Sequence, residues 1–121
     1  MDKRILIYSH SWQIALLVSE VVASPELQLA VALTREEFDR LTERVIYDLV
    51  IFVGAGLLLS EEGLLGRVRP RPLRRPPIFL LSWQQGEQIV LGVLEGGVDQ
   101  YMTLPLQPAR LRNKVLEALQ R

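Results

Sequence analysis

Few residues in this chain offer side chains that could do chemistry. Ser9 and His10 follow the first apolar run, Ile5–Tyr8, and Ser82 follows a later one, Ile78–Leu81. A serine and a histidine form the nucleophile and base of one class of hydrolase, but the histidine then needs a third group to orient it. No such group is evident, and a lone histidine is more typical of a hydrogen-bonding surface residue than of a general base. We therefore expect no catalytic residue and no enzyme.

Composition excludes several other kinds of site. The chain has 121 residues, no cysteine and one histidine, so disulfides, thiolate metal sites and multi-histidine zinc sites are excluded. Its 14 basic and 14 acidic residues give a net charge of zero, which argues against a general nucleic-acid binder. With 49% hydrophobic residues, the length favours one domain over residues 1–121. No apolar run is long enough for a signal peptide or a membrane span, so the default expectation is a cytoplasmic protein.

Strand and helix patterns alternate five times along the chain. Short apolar runs predict strands at 5–8, 27–33, 47–53, 78–81 and 101–104. Helical patterns predict helices over 11–23, after the capping box Thr34–Glu37, from Ser60–Glu62, over 84–95 and from Pro108 onward. The last helix is expected to turn Leu111, Val115, Leu116 and Leu119 inward. This alternation is typical of an α/β fold with a doubly wound parallel sheet, covered by helices on both faces.

Such folds carry their functional crevice beyond the carboxyl ends of the strands. The residues predicted to lie at that edge are Ser9, His10, Val53, Gly54, Ser82 and Leu104. Trp12 and Trp83 lie beside them in sequence.

One ordered set of segments resembles the response-regulator receiver (CheY-like) domain. Residues 97–106 read GVDQYMTLPL, similar to the receiver signature of a glycine turn, an aromatic residue and then Lys-Pro. The strand patterns at 4–10, 48–53 and 77–82 are similar to the first, third and fourth receiver strands. The resemblance spans the whole chain and implies a flavodoxin-like sheet of order 2-1-3-4-5. It also implies that Tyr101 is the signalling aromatic and that the Leu104–Pro105 bond is cis.

The chain departs from the receiver pattern at every charged position of the phosphorylation site. The family's acidic pair falls on Ser9 and His10, its phosphate-accepting aspartate on Val53 and its lysine on Leu104, and only the hydroxyl survives, as Ser82. Phosphoryl transfer onto a carboxylate needs that nucleophile and a magnesium ion, which prefers carboxylate ligands. We expect a degenerate site that binds no metal or other cofactor.

The remaining acidic residues do not replace the lost ones in this interpretation. Asp48 and Asp99 are expected at the opposite ends of their strands, and Glu61 and Glu62 are the only acids that could approach from a loop. The chain is then a non-phosphorylatable pseudo-receiver, a protein-protein interaction module in signal transduction of the two-component type.

The two tryptophans allow two interpretations. Trp83 stands where the family often has a small residue, and the favoured prediction is that it plugs the vacated pocket. Alternatively, Trp12 and Trp83 form an aromatic anchor for a partner or a flat ligand. The second interpretation would make the chain a small-molecule or nucleotide sensor.

Partner surfaces are predicted from the same resemblance. Receivers commonly associate through the fourth helix, fifth strand and fifth helix, and that surface could make a homodimer here. The candidate contact residues are Gln88, Leu91, Gln100, Arg110 and Lys114. The arginine- and proline-rich segment 67–77 is interpreted as a solvated loop, and the alternative is a contact with an acidic protein or a nucleic acid. Whether the chain is a complete small protein or the front of a longer one stays open.

Overall fold

The computed structural model describes residues 2–54, 76–83 and 97–120. Several sequence predictions lie outside the described residues. These are the third helix from Ser60–Glu62, nearly all of the arginine-rich loop, the helix over 84–95, and the contact candidates Gln88 and Leu91.

Five parallel strands form one sheet in the order β2-β1-β3-β4-β5. The strands are β1 (Lys3–Ser9), β2 (Leu27–Ala32), β3 (Leu49–Val53), β4 (Ile78–Ser82) and β5 (Gln100–Thr103). Every residue of β3 and β4 is buried, as expected for the inner strands of a parallel sheet covered on both faces. The predicted fold class and strand order are confirmed.

Three helices are described, α1 (Trp12–Val22), α2 (Arg35–Arg44) and α3 (Pro108–Leu119). Side-chain hydrogen bonds cap the amino-terminal ends of α1 and α2. The Ser11 hydroxyl accepts from Ile14 N, and the Thr34 hydroxyl accepts from Glu37 N at 3.1 Å. Pro108 is the first residue of α3. An N–H at this position has no acceptor within the helix, so proline loses no hydrogen bond there. None of the helices in the described part of the chain is long and apolar enough to cross a lipid bilayer.

The two faces of the sheet carry separate apolar clusters, because successive strand residues point to opposite sides. On one face, Ile5 and Ile7 belong to a cluster completed by α1 and α3. On the other, Leu6 and Tyr8 belong to a cluster that includes Phe38 of α2. There the Tyr8 ring stacks on Phe38 at a centroid distance of 5.0 Å.

One predicted core position on α3 is wrong. Leu111 and Val115 are buried and Leu119 is half-buried, but Leu116 is 48% exposed. An α-helix turns about 100° per residue, so Leu116 lies well round the helix from Leu111 and Val115, at the margin of their buried face. Leu17, at helical spacing on α1, is exposed for the same reason.

Two aspartates secure the amino-terminal end of the sheet. Asp48 Oδ2 accepts from Arg4 N at 2.8 Å, and Asp48 N donates to Arg4 O at 2.8 Å. Asp99 makes the same pair of bonds with Ile78. Asp99 Oδ2 accepts from Ile78 N, and Asp99 N donates to Ile78 O, both at 2.8 Å. Each carboxylate therefore satisfies a strand N–H at the end opposite the candidate site, as predicted.

We expect Asp99→Ala to lower the free energy of unfolding by about 1–2 kcal/mol, because Ile78 N loses a charged acceptor. Asp99→Asn should lose less, since its amide oxygen can still accept. Urea denaturation measures both. Glu26→Ala, which removes an exposed carboxylate, is the control. Equal stability of Asp99→Ala and the control would contradict the capping role.

Candidate functional site

The carboxyl ends of the inner strands bring the predicted edge residues together. In the sheet register Ser9 is opposite Val53, and Ser82 is opposite Thr103. Leu104 N continues the ladder by donating to Ser82 O at 2.9 Å. Ser9, Val53, Ser82 and Leu104 therefore lie along the same edge of the sheet.

Gly54 ends β3 with a turn that suits glycine. Its φ is 122°, in the region that residues with a Cβ avoid, and its N–H donates to Leu81 O at 2.9 Å. The chain leaves the sheet directly after Val53, which fixes Val53 as the last strand residue at this edge.

Val53 and Leu104 make the centre of the edge apolar. Their exposed fractions are 1% and 4%, and both belong to the cluster under α1 and α3, together with Ala15 and Leu111. Neither side chain carries an oxygen or a charge. These two positions therefore extend the hydrocarbon core to the tips of the strands.

Ser9 is polar, but its hydroxyl is engaged locally. It is 2% exposed, accepts from Ser11 N at 3.1 Å and donates to Ser11 O at 3.1 Å. The hydroxyl thus holds the turn between β1 and α1, just before the Ser11 cap of that helix. Ser82 is also buried, with 1% exposure.

His10 is exposed, and it packs on the aromatic cluster of the opposite face. Its ring meets Tyr8 edge-on, with centroids 5.3 Å apart and planes at 65°. Tyr8 in turn stacks on Phe38. This aromatic support was not predicted; the alternation along β1, which puts Tyr8 and His10 on the same side, was the available signal.

The prediction that Trp83 plugs a vacated pocket is wrong. Trp83 is 57% exposed, and Trp12 is 60% exposed. Within the described residues, the space beneath this edge is occupied by the buried side chains of Val53, Leu81 and Leu104. Both rings instead present most of their surface outward.

Within the ranges 2–54, 76–83 and 97–120, no cluster of three His, Asp or Glu side chains could hold a metal ion. Asp48 and Asp99 lie at the far end of the sheet, where their carboxylates bind backbone N–H groups. Glu61 and Glu62 lie outside the described residues.

Two residues singled out by the receiver resemblance lie on β5 and just after it. The Leu104–Pro105 peptide is cis, as predicted. Tyr101 is partly buried against the cluster that contains Phe52 and Val98.

Three predicted contact residues lie on neighbouring elements. Gln100 is on β5, while Arg110 and Lys114 are on α3. Arg110 helps to line a small open depression with Met102 and Thr103, and Lys114 Nζ lies 3.7 Å from Glu117 Oε2. The β5 and α3 parts of the predicted partner surface are therefore adjacent.

Comparison with solved structures identifies the fold. A response regulator from Thermotoga maritima superposes with a TM-score of 0.85 at 16% identity, covering all of both chains. The BeF3-activated DrrB receiver domain gives 0.80 at 25% identity, again over both whole chains. A CheY-like receiver domain from Methanospirillum hungatei gives 0.80 at 24% identity, covering 99% of this chain and 95% of that one. The chain has the receiver-domain fold. Its sequence matches no protein-family model and no curated protein.

We expect Val53→Asp to lower the free energy of unfolding by at least about 3 kcal/mol at pH 8, because it buries an uncompensated charge. Burial raises the pKa of such a carboxyl above its unfolded value. Stability is therefore lost as the pH rises through that range, and the variant should be less impaired at pH 5.

Val53→Asn is the matched control, because the asparagine side chain has nearly the same shape as aspartate but does not titrate. Urea denaturation at both pH values measures the two variants. A Val53→Asp penalty that is small, or no more pH-dependent than that of Val53→Asn, would show that this edge can accommodate a carboxylate.

Proposed function

We propose that this chain is a non-phosphorylatable receiver domain, which acts in signal transduction by binding a protein partner. The observation that carries the proposal is the burial of Val53 and Leu104 in the apolar core. In the receiver resemblance these positions belong to the phosphate-accepting aspartate and the phosphate-binding lysine.

The chemistry of phosphoryl transfer supports this reading. The reaction needs an oxygen nucleophile and a divalent cation to neutralise developing charge. Val53 offers no oxygen, and the Ser9 hydroxyl is engaged with the backbone of Ser11. The aspartate and lysine positions therefore offer neither a carboxylate to accept a phosphoryl group nor an ammonium to bind it, and the domain keeps one conformation where receivers switch.

A domain that retains this fold without its chemistry still offers a surface. The adjacent elements β5 and α3 carry Gln100, Arg110 and Lys114, and β5 is an edge strand, the outermost strand on its side of the sheet. Receivers commonly associate through this region. We propose it as the surface for a protein partner, or for a second copy of the chain.

We expect no saturable change in backbone NMR shifts when the chain is titrated with Mg²⁺ and beryllium fluoride, or with Mg²⁺ and acetyl phosphate. The DrrB receiver domain, whose BeF3-activated form is known, is the positive control. Saturable shifts centred on Ser9, Val53 and Ser82 would refute the loss of chemistry.

One observation favours a second candidate function. Trp12 and Trp83 flank the same edge and are both more than half exposed, as an aromatic platform for a flat ligand requires. In that case the chain senses a small molecule or nucleotide at the edge where receivers carry phosphate.

Tryptophan fluorescence distinguishes the two candidates, because the chain has only two tryptophans. If the edge is a protein-binding surface, nucleotides, including cyclic dinucleotides, should leave the emission unchanged. Saturable quenching that Trp12→Ala or Trp83→Ala abolishes would instead support the sensor. Leu116→Ala, which alters another exposed apolar residue, on α3, should leave any quenching intact.

A further inference from the structure

The exposed side of α1 is unusually apolar for a surface helix. Its sequence is WQIALLVSEVV, with only Gln13, Ser19 and Glu20 polar. The inner side is buried at Ala15, Val18, Val21 and Val22. On the outer side, Trp12, Leu16 and Leu17 are 60%, 51% and 48% exposed. We call these three residues the α1 face.

The contrast with α2 shows what the core alone requires. That helix reads REEFDRLTER and holds its place with Phe38 and Leu41 as its only large apolar residues. Two apolar positions thus suffice to attach a helix of this length to the sheet. A helix that is apolar almost all round is one that is covered on both sides, so the α1 face exceeds what folding needs.

The neighbouring helix α3 also has an exposed apolar residue, Leu116. Arg112 Nε donates to Val21 O at 3.2 Å, which places the Arg112 side of α3 against α1. Leu116 follows Arg112 by one helical turn and therefore lies on the same side of α3. It is also exposed, but it is on α3 and is not counted in the α1 face.

We propose that the α1 face is the contact between two copies of this chain, packed as antiparallel α1 helices about a two-fold axis near Leu16. Such a contact is isologous, with the same patch used by both copies. Trp12, Leu16 and Glu20 form one i, i+4 row, so an axis at Leu16 brings Trp12 of each copy to Glu20 of the other.

Charge favours a second copy as the occupant. The first turn of α1 contains no acidic residue, so the positive end of that helix lacks a carboxylate of its own. Glu20 is exposed and makes no ion pair within the described residues, and the antiparallel arrangement brings it to the first turn of the other copy. With a net charge of zero, two copies do not repel each other.

The size of the patch sets the strength of the contact. Specific dimers bury about 800 Å² per partner, whereas the three side chains of the α1 face supply roughly 250 Å² of exposed apolar area. The dimer is therefore a weak one, with a dissociation constant in the micromolar range. It is independent of the lost phosphoryl chemistry and involves a surface separate from β5 and α3.

Analytical ultracentrifugation of the whole chain over about 1–300 μM tests the proposal. Wild type should move from monomer to dimer over this range, and Leu16→Glu should stay monomeric. Ile46→Glu is the matched control, because Ile46 is 55% exposed and lies between α2 and β3, and it should dimerise like wild type. Circular dichroism checks that both variants fold.

Two further variants test the arrangement itself. Glu20→Lys should weaken the dimer about tenfold, because a cation replaces the carboxylate at the positive helix end. The chain has no cysteine, so Leu16→Cys should form a disulfide-linked dimer on mild oxidation, whereas Ile46→Cys should not.

Three outcomes would overturn the proposal. Wild type that stays monomeric leaves the α1 face to another protein. A dimer that persists in Leu16→Glu but is lost in Arg110→Glu lies on β5 and α3. Failure of Leu16→Cys to crosslink while the dimer forms excludes the two-fold axis at Leu16. None of these results bears on the phosphate-analogue titration, so the proposals fail separately.

Discussion

The burial of hydrocarbon at the carboxyl ends of β3 and β5 is the constraint on which the site depends. Val53 and Leu104 join the core beneath α1 and α3, so both strand ends carry buried hydrocarbon at these positions. The surrounding polar groups are arranged accordingly: Ser9 holds its own turn, and His10 lies against Tyr8 on the other face. The indoles of Trp12 and Trp83 are left in solvent.

Charge is used at the opposite end of the same sheet. Asp48 and Asp99 bind the strand N–H groups of Arg4 and Ile78, where a parallel sheet would otherwise leave donors unpaired. The fold thus retains carboxylates where they hold the backbone in place and has none at the tips of β1, β3 and β4. The strand order nevertheless remains that of the receiver fold.

The sequence was sufficient for the architecture because each element carries a local signal. Alternating apolar runs predicted the sheet, Thr34 and Pro108 predicted helix starts, and the Leu104–Pro105 bond followed from the resemblance. The predictions that failed concerned whether a large apolar residue is buried or exposed. Leu116 and Trp83 have the composition of core residues, but their exposure depends on whether neighbours such as Val115 and Val53 already fill the space. Which side chain fills that space is decided by tertiary packing, and it cannot be read from the spacing of apolar residues in the sequence.

The edge strand β5 influences the kind of assembly that this molecule can form. β5 has four residues and, among the described strands, pairs only with β4, so it offers a short template for strand addition by another chain. Long exposed borders invite open-ended growth into fibres, whereas a short border gives an incoming strand few backbone groups to pair with. An isologous contact, such as the one proposed for the α1 face, closes after two copies. The brevity of β5 therefore favours small, finite complexes over aggregates, even in a chain without net charge to keep its copies apart.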